Sequence, residues 1–157
     1  MIIQDLIDIL HISSERLNSF NKTANDCDNL QLKMILNKEI DQTHNSILAI
    51  KRLVFERFDF TIAYETKGPL FSMWNEFKPT LDAADQSSQL LDFEMADLLT
   101  LQCYCLVITR PYIDDITKRL LEYHYQNHLV CYYNMKAFRR SYQKSSSETL
   151  YLSRKSA

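Results

Sequence analysis

The sequence predicts an all-α protein built as a four-helix bundle. One glycine and three prolines among 157 residues leave little material for the tight turns that a sheet requires. Apolar residues instead recur every three or four positions, which is the spacing of a buried helical face. They do so through long runs that contain neither glycine nor proline. A chain of this length can bury the core of one domain.

A short polar turn joins the first two predicted helices. Helix one is expected from about Ile3 to Asn25, and helix two from about Leu30 to Phe58. Within the turn between them, either Asp28 or Asn29 is suited to cap helix two. Because the link is short, the two helices should run antiparallel.

A long connection then separates the two helical pairs. From Asp59 to Ser88 the apolar periodicity weakens, and the stretch contains the single glycine, Gly68. A short amphipathic helix that carries Trp74 and Phe77 is expected inside it, as a lid on the bundle. A crossover of this length lets helix three run parallel to helix two. This is the single-crossover, ferritin-like arrangement.

Helices three and four form the second expected pair. Helix three begins near Ser87 or Ser88, either of which could cap it, and runs to Ile108. Pro111 suits the first turn of helix four, which is expected from about Tyr112 to Tyr142. The short link again predicts an antiparallel pair.

Composition bounds the class of protein and its location. A net charge of −2 provides no basic field for nucleic acid, and no apolar run reaches the about 18 residues of a membrane span. The apolar start of the chain carries Asp5 and Asp8 without a basic leader, which argues against a signal peptide. We expect a cytoplasmic protein with reduced cysteines, a bundle domain over residues 1–143 and a disordered tail over 144–157.

Several short segments carry, in their order, a resemblance to a known family. In chain order these segments are Phe20 with Ala24, Leu32–Leu36, Gly68, Trp74–Lys78 and Leu91–Glu94. Over about Leu6 to Arg140 the chain resembles a bacterial ferritin-like four-helix-bundle family of unknown function. The resemblance implies the fold and no particular activity. Three positions depart from the family pattern, because Glu15-Arg16 replaces an Asp-Gly pair and Tyr132 stands where many members have histidine.

One carboxylate on the apolar face of helix three raises the question of a metal site. Glu94 lies within about 10° of the centre of that face, and a buried carboxylate needs a partner. A diiron site needs inward carboxylates from two helices and Glu-x-x-His from the other two, a set that this chain does not complete. We expect no cofactor. The candidate ligands for iron, manganese or zinc are Glu94, His124, His128 and His44, and the structural alternative is a hydrogen bond from Glu94 to His124 or Asn127.

A second apolar strip on helix four predicts a partner surface. Leu121, Tyr125, Leu129 and Tyr132 recur at steps of four and three, about a third of a turn from the core face. We expect the crossover and part of a homodimer interface to cover this strip. The predicted function is that of a non-enzymatic bundle acting through its surface or dimer interface, with a stress response as one setting. The alternative is a degenerate ferritin-like metalloprotein with one metal ion or a diiron site in its core.

Overall fold

The computed structural model describes residues 2–58, 66–79 and 85–156, and helices account for nearly all of them. This confirms the all-α prediction. As predicted, Asn29 caps the second helix, because its side chain accepts a hydrogen bond from the Leu32 backbone N–H at 3.0 Å. The five helices in these ranges are α1 (Ile2–Asp26), α2 (Leu30–Arg57), α3 (Pro69–Phe77), α4 (Gln86–Ile108) and α5 (Asp115–Lys155).

Contacts between the long helices fix their directions. Asp5 near the start of α1 bonds to Arg110 just beyond α4, and Arg16 further along α1 bonds to Asp97 earlier in α4. These two contacts make α1 and α4 antiparallel. The short turn between α1 and α2 makes that pair antiparallel too, so α2 and α4 run in the same direction. This direction agrees with the expectation from the length of the crossover.

The four long helices occupy the corners of a bundle. α1 packs against α2 and α4, and α5 packs against the same two helices. α2 and α4 therefore lie at opposite corners. Two apolar clusters fill the ends of the bundle, one around Leu10, Val54 and Val107 and the other around Phe20 and Met135. A layer of buried polar residues lies between the two clusters, at the middle of the bundle axis.

One buried carboxylate fixes the crossover helix α3 to α1. Asp8 is fully buried, and it accepts hydrogen bonds from the backbone N–H groups of Gly68, Leu70 and Phe71 at 2.7, 3.1 and 3.2 Å. The first N–H groups of a helix have no partner within the helix, so the carboxylate of α1 supplies one. The rest of the predicted crossover, residues 59–65 and 80–84, lies outside the described residues.

Two helices begin later or earlier than predicted because aspartates cap them. Asp85, rather than Ser87 or Ser88, caps α4, since its carboxylate accepts a hydrogen bond from the Ser88 backbone N–H at 2.9 Å. Asp114 caps α5 three residues beyond Pro111, and accepts from the backbone N–H groups two and three residues after it. A carboxylate at this position also interacts favourably with the positive end of the helix.

α5 continues as a helix through most of the segment predicted to be a disordered tail. The prediction covered 144–157, whereas the helix ends at Lys155. Neither glycine nor proline interrupts this stretch, and the hydroxyls of Ser147 and Thr149 donate to backbone carbonyls four residues earlier. The residues from 143 to 156 are exposed. The end of α5 therefore extends beyond the packed bundle.

Candidate functional site

Glu94 meets neither of its predicted partners. Its carboxylate forms a two-pronged ion pair with Arg139 of α5, through the arginine Nε and through Nη2 at 3.2 Å. Tyr104 of α4 lies beside His128 of α5, and each residue rises about 1.5 Å along a helix. In this antiparallel register, His124 lies roughly 20 Å along the bundle axis from Glu94. The predicted contact of Glu94 with His124 is therefore wrong, and Arg139 takes its place.

The three histidines of the predicted ligand set also lie apart from Glu94. His128 Nε2 is 3.0 Å from Ser46 Oγ, His124 Nδ1 is 3.2 Å from a glutamine amide nitrogen of α2, and His44 is exposed. Burial, followed by the charges of His124 and Arg16, lowers the pKa of His128 to about 3. Within residues 2–58, 66–79 and 85–156, no three His, Cys, Asp or Glu side chains are placed to hold a metal ion.

A different polar group occupies the middle of the bundle, and all four long helices contribute to it. It consists of Arg16 from α1, Glu39 from α2, Asp97 from α4 and Cys131 from α5, and we call it the central cluster. The Arg16 guanidinium donates to Oδ1 of Asp97 in a short ion pair. Arg16, Glu39 and Asp97 are only 3%, 2% and 7% exposed. An ion pair with this burial is expensive to form unless its remaining polar atoms are satisfied.

Glu39 is a strongly perturbed group of the central cluster. Its burial raises its pKa well above the usual value, and Asp97 raises it further, through its charge and through the hydrogen bond that Glu39 can donate to it when protonated. The Arg16 charge opposes these effects without cancelling them. The Cys131 thiol has its pKa raised to about 12, first by burial and then by the charges of Glu39 and Asp97. One arginine therefore faces a pair of acids inside a low-dielectric core.

Sequence reasoning missed the central cluster, although spacing carried a signal for it. Arg16 lies three residues after Ser13 and four before Phe20, so it shares the buried face of α1. Its guanidinium carbon lies 4.3 Å from the centre of the Phe20 ring and 5.8 Å from that of Phe93. Glu39 likewise follows the three-and-four spacing of the buried face of α2. Charged residues were assumed to point outward, and that assumption fails where charges pair with each other.

An open apolar groove runs between α3 and α4 on the outside of the bundle. Its volume is about 670 Å³, and Met73 and Phe77 of α3 face Met95, Leu98 and Leu106 of α4 across it. None of the residues that line the groove is charged. The predicted lid is thus confirmed only in part. Its tryptophan is buried against the core, whereas Phe77 is 66% exposed.

The apolar strip predicted for dimerisation on helix four is largely part of the bundle. Leu121 is fully buried, Tyr132 is buried, and Tyr125 and Leu129 are half-buried. The expectation that this strip lies outside the core is therefore wrong, because α5 packs on two neighbouring helices and needs a wide apolar face. Dimerisation itself stays a prediction.

Comparison of the chain with protein-family models, curated proteins and solved structures finds no match in any of the three. In the part of the chain that the structure describes, none of the helices has the length and apolar character needed to cross a membrane. The central cluster and the apolar groove are the candidate functional features of the described residues.

Proposed function

We propose that this protein is a non-enzymatic bundle of the ferritin-like type that acts by pairing with a second copy of itself. The observation that carries the proposal is the uncharged groove between α3 and α4. The proposed fold type is supported by antiparallel neighbouring helices, a parallel pair across the diagonal and a short helix in the connection between α2 and α4.

The outer face of α4 supports an interface at the groove. Leu91, Met95 and Leu106 lie on this face and are between 42% and 48% exposed, while the opposite side of the same helix fills the core. A helix that is apolar on all sides is normally covered on all sides. Contiguous exposed apolar surface of this kind marks interaction sites on monomers.

A second copy of the chain fits this face because the face is complementary to itself. The groove positions on α4 follow one stripe, from Met95 through Leu98 and Gln102 to Leu106, without a charge. An antiparallel copy brought up about a two-fold axis near the middle of the stripe meets apolar residues at both ends. No ion loses its hydration in that contact, so the desolvation cost is small.

The central cluster is a poor candidate for catalysis. Arg16, Glu39 and Asp97 are almost completely buried, so a substrate would have to enter the packed core to reach them. Their charges are also directed at one another. This arrangement supports a non-enzymatic role.

The dimer is tested with a charge placed in the groove and a matched charge placed elsewhere. Met95→Glu introduces a carboxylate at the proposed contact, and Leu48→Glu introduces one at an exposed position of α2 that does not line the groove. Light scattering at tens of micromolar, about the range where weak dimers form, should show a dimer for the wild type and Leu48→Glu, and a monomer for Met95→Glu. Circular dichroism should show equal helix content. A monomeric wild type, or a dimer that survives Met95→Glu, would contradict the proposal.

A metal in the bundle core is the competing hypothesis. Glu94 is engaged by Arg139, and the nearest partners of His124 and His128 are neutral side chains, so these positions favour structural roles. Metal analysis of protein purified without chelator separates the two hypotheses. Stoichiometric iron, manganese or zinc would overturn our preference for a metal-free bundle.

A further inference from the structure

The charges of the central cluster do not balance if all its acids are ionised. Arg16 supplies one positive charge from α1, while Glu39 from α2 and Asp97 from α4 would supply two negative charges. From α5 the cluster faces Cys131, whose raised pKa of about 12 keeps the thiol neutral, and Lys38 of α2 is near that thiol. An unbalanced charge at this depth is very unfavourable.

Two carboxylate oxygens in the cluster also lack a donor. Oε1 of Glu39 and Oδ2 of Asp97 are buried and have no hydrogen-bond partner among the described residues. The other oxygen of Asp97 is taken by Arg16. Two ionised carboxylates cannot bond to each other, because both are acceptors, whereas a protonated carboxyl group is a donor. One proton between the two groups satisfies the oxygens and neutralises the cluster.

We propose that the centre of the bundle is a proton-binding site, in which Glu39 and Asp97 share one proton that the folded protein retains at neutral pH. Asp97 remains the ionised partner of Arg16, and Glu39 carries the proton and donates to Asp97. Because α2 and α4 lie at opposite corners, this hydrogen bond connects the bundle across its diagonal. The proton therefore acts as a pH-sensitive lock, and its loss leaves two anions facing each other in the core.

The sign of the pH effect follows from the proton count of the folded and unfolded states. Unfolded Glu39 loses its proton near pH 4.3, about the value of a free glutamate, so above that pH the folded state binds the extra proton. Stability then falls as pH rises, until the folded-state pKa of Glu39 is passed. His124 and His128 act in the opposite direction below about pH 6.5, and free cysteine thiols begin to titrate near pH 8.5. Between about pH 7 and pH 8, the titration of histidines and cysteines therefore contributes least, and the effect of Glu39 can be measured.

The test measures urea unfolding across this window in three proteins. In the wild type the unfolding equilibrium constant should rise with pH, approaching tenfold per pH unit while Glu39 stays protonated in the folded state. Glu39→Gln mimics the protonated acid and should remove this rise. Glu122→Gln, at an exposed position of α5, should behave like the wild type. The same pH dependence in the wild type and Glu39→Gln would overturn the proposal.

A spectroscopic measurement on the wild type keeps the proposal testable if Glu39→Gln does not fold. Infrared spectra at pH 7 should show the carbonyl band of a protonated carboxylic acid, and NMR of the glutamate side-chain carboxyl carbons should show one resonance at its protonated shift. Both signals should disappear as pH rises through the transition. A protein with only ionised carboxylates at pH 7 has no shared proton, and that result would refute the lock.

Discussion

Replacing Asp8 with asparagine should release the crossover helix α3 from the bundle. Its Oδ1 accepts from Gly68 N–H, and its Oδ2 accepts from Leu70 N–H and Phe71 N–H. An asparagine has one acceptor oxygen and one donor nitrogen in the same shape. In either orientation, at least one of these three N–H groups meets a donor where it had an acceptor.

The loss of stability in Asp8→Asn is set by the orientation of the asparagine amide that loses less free energy. With the amide nitrogen in place of Oδ1, the 2.7 Å bond from Gly68 N–H is lost together with the 3.0 Å bond from the Gln4 side-chain amide, and the Gly68 N–H is left unpaired, whereas the Gln4 amide can rotate. Losing a charge-assisted hydrogen bond and leaving a buried group unsatisfied costs about 2–3 kcal/mol, and removing a negative charge near a helix N-terminus adds roughly 0.3–1 kcal/mol. We therefore expect α3 to be destabilised by about 2–4 kcal/mol.

The single tryptophan of the chain makes this loss directly measurable. Trp74 lies buried on α3, so its fluorescence reports the docking of that helix, whereas circular dichroism is dominated by the four long helices. In Asp8→Asn the fluorescence transition in urea should move to lower urea and precede the loss of helix. Asp41→Asn, at an exposed position of α2, is the control. If the free energy of the fluorescence transition falls by less than about 1 kcal/mol, or by the same amount as in the control, Asp8 does not hold α3 on the bundle.

Three further predictions concern the neighbouring contacts. Gly68→Ala should also undock α3, by about 1–3 kcal/mol in the same fluorescence assay, because its Cβ would lie 2.6 Å from Oδ2 of Asp8. Glu94→Leu should change the unfolding free energy by less than about 1 kcal/mol, since Arg139 can turn to solvent. Arg139→Leu leaves the buried Glu94 carboxylate without its partner and should lower the unfolding free energy by about 2–4 kcal/mol in urea unfolding. His128 is held neutral with its pKa lowered to about 3, so its stabilising contribution is lost as pH falls below about 6.5, and His128→Gln should flatten the acid limb of stability measured from pH 6.5 to 5.

The fold was largely predictable because its main signals are local. Helix formation depends on spacing within one segment, and the runs without glycine or proline gave the extent of α1 and α2 to within one or two residues. The crossover helix was predictable from the same periodicity around Trp74. The starts of α4 and α5 were less predictable, because aspartates and serines near Asp85 and Asp114 competed as caps.

The partners of buried polar residues were not predictable from the sequence. A helical wheel gives the direction of a side chain around the helix axis, but it does not give the level of that side chain relative to residues of a neighbouring helix. Glu94 is buried as predicted, with 6% of its surface exposed. Its partner depended on the axial register between α4 and α5, which the capping aspartates and the short link decide together. Arg139 lies near the end of predicted helix four, where an arginine is usually solvated, so its position alone does not indicate a buried partner. The register brings it level with Glu94 and moves His124 away.

The central cluster shows what a rule for charged residues must include. Arg16, Glu39 and Asp97 each share the three-and-four spacing of their helix's apolar face, but each one alone is costly to bury. Only their sum, with one proton added, is nearly neutral. Single-residue scoring rejects all three, while scoring of oppositely charged residues at core spacing on different helices would retain them together. Because two apolar clusters enclose this layer, a shift of one helix by a turn would separate Arg16 from Asp97 and leave buried charges unpaired. The cluster therefore specifies the register of the bundle more than it adds to its stability.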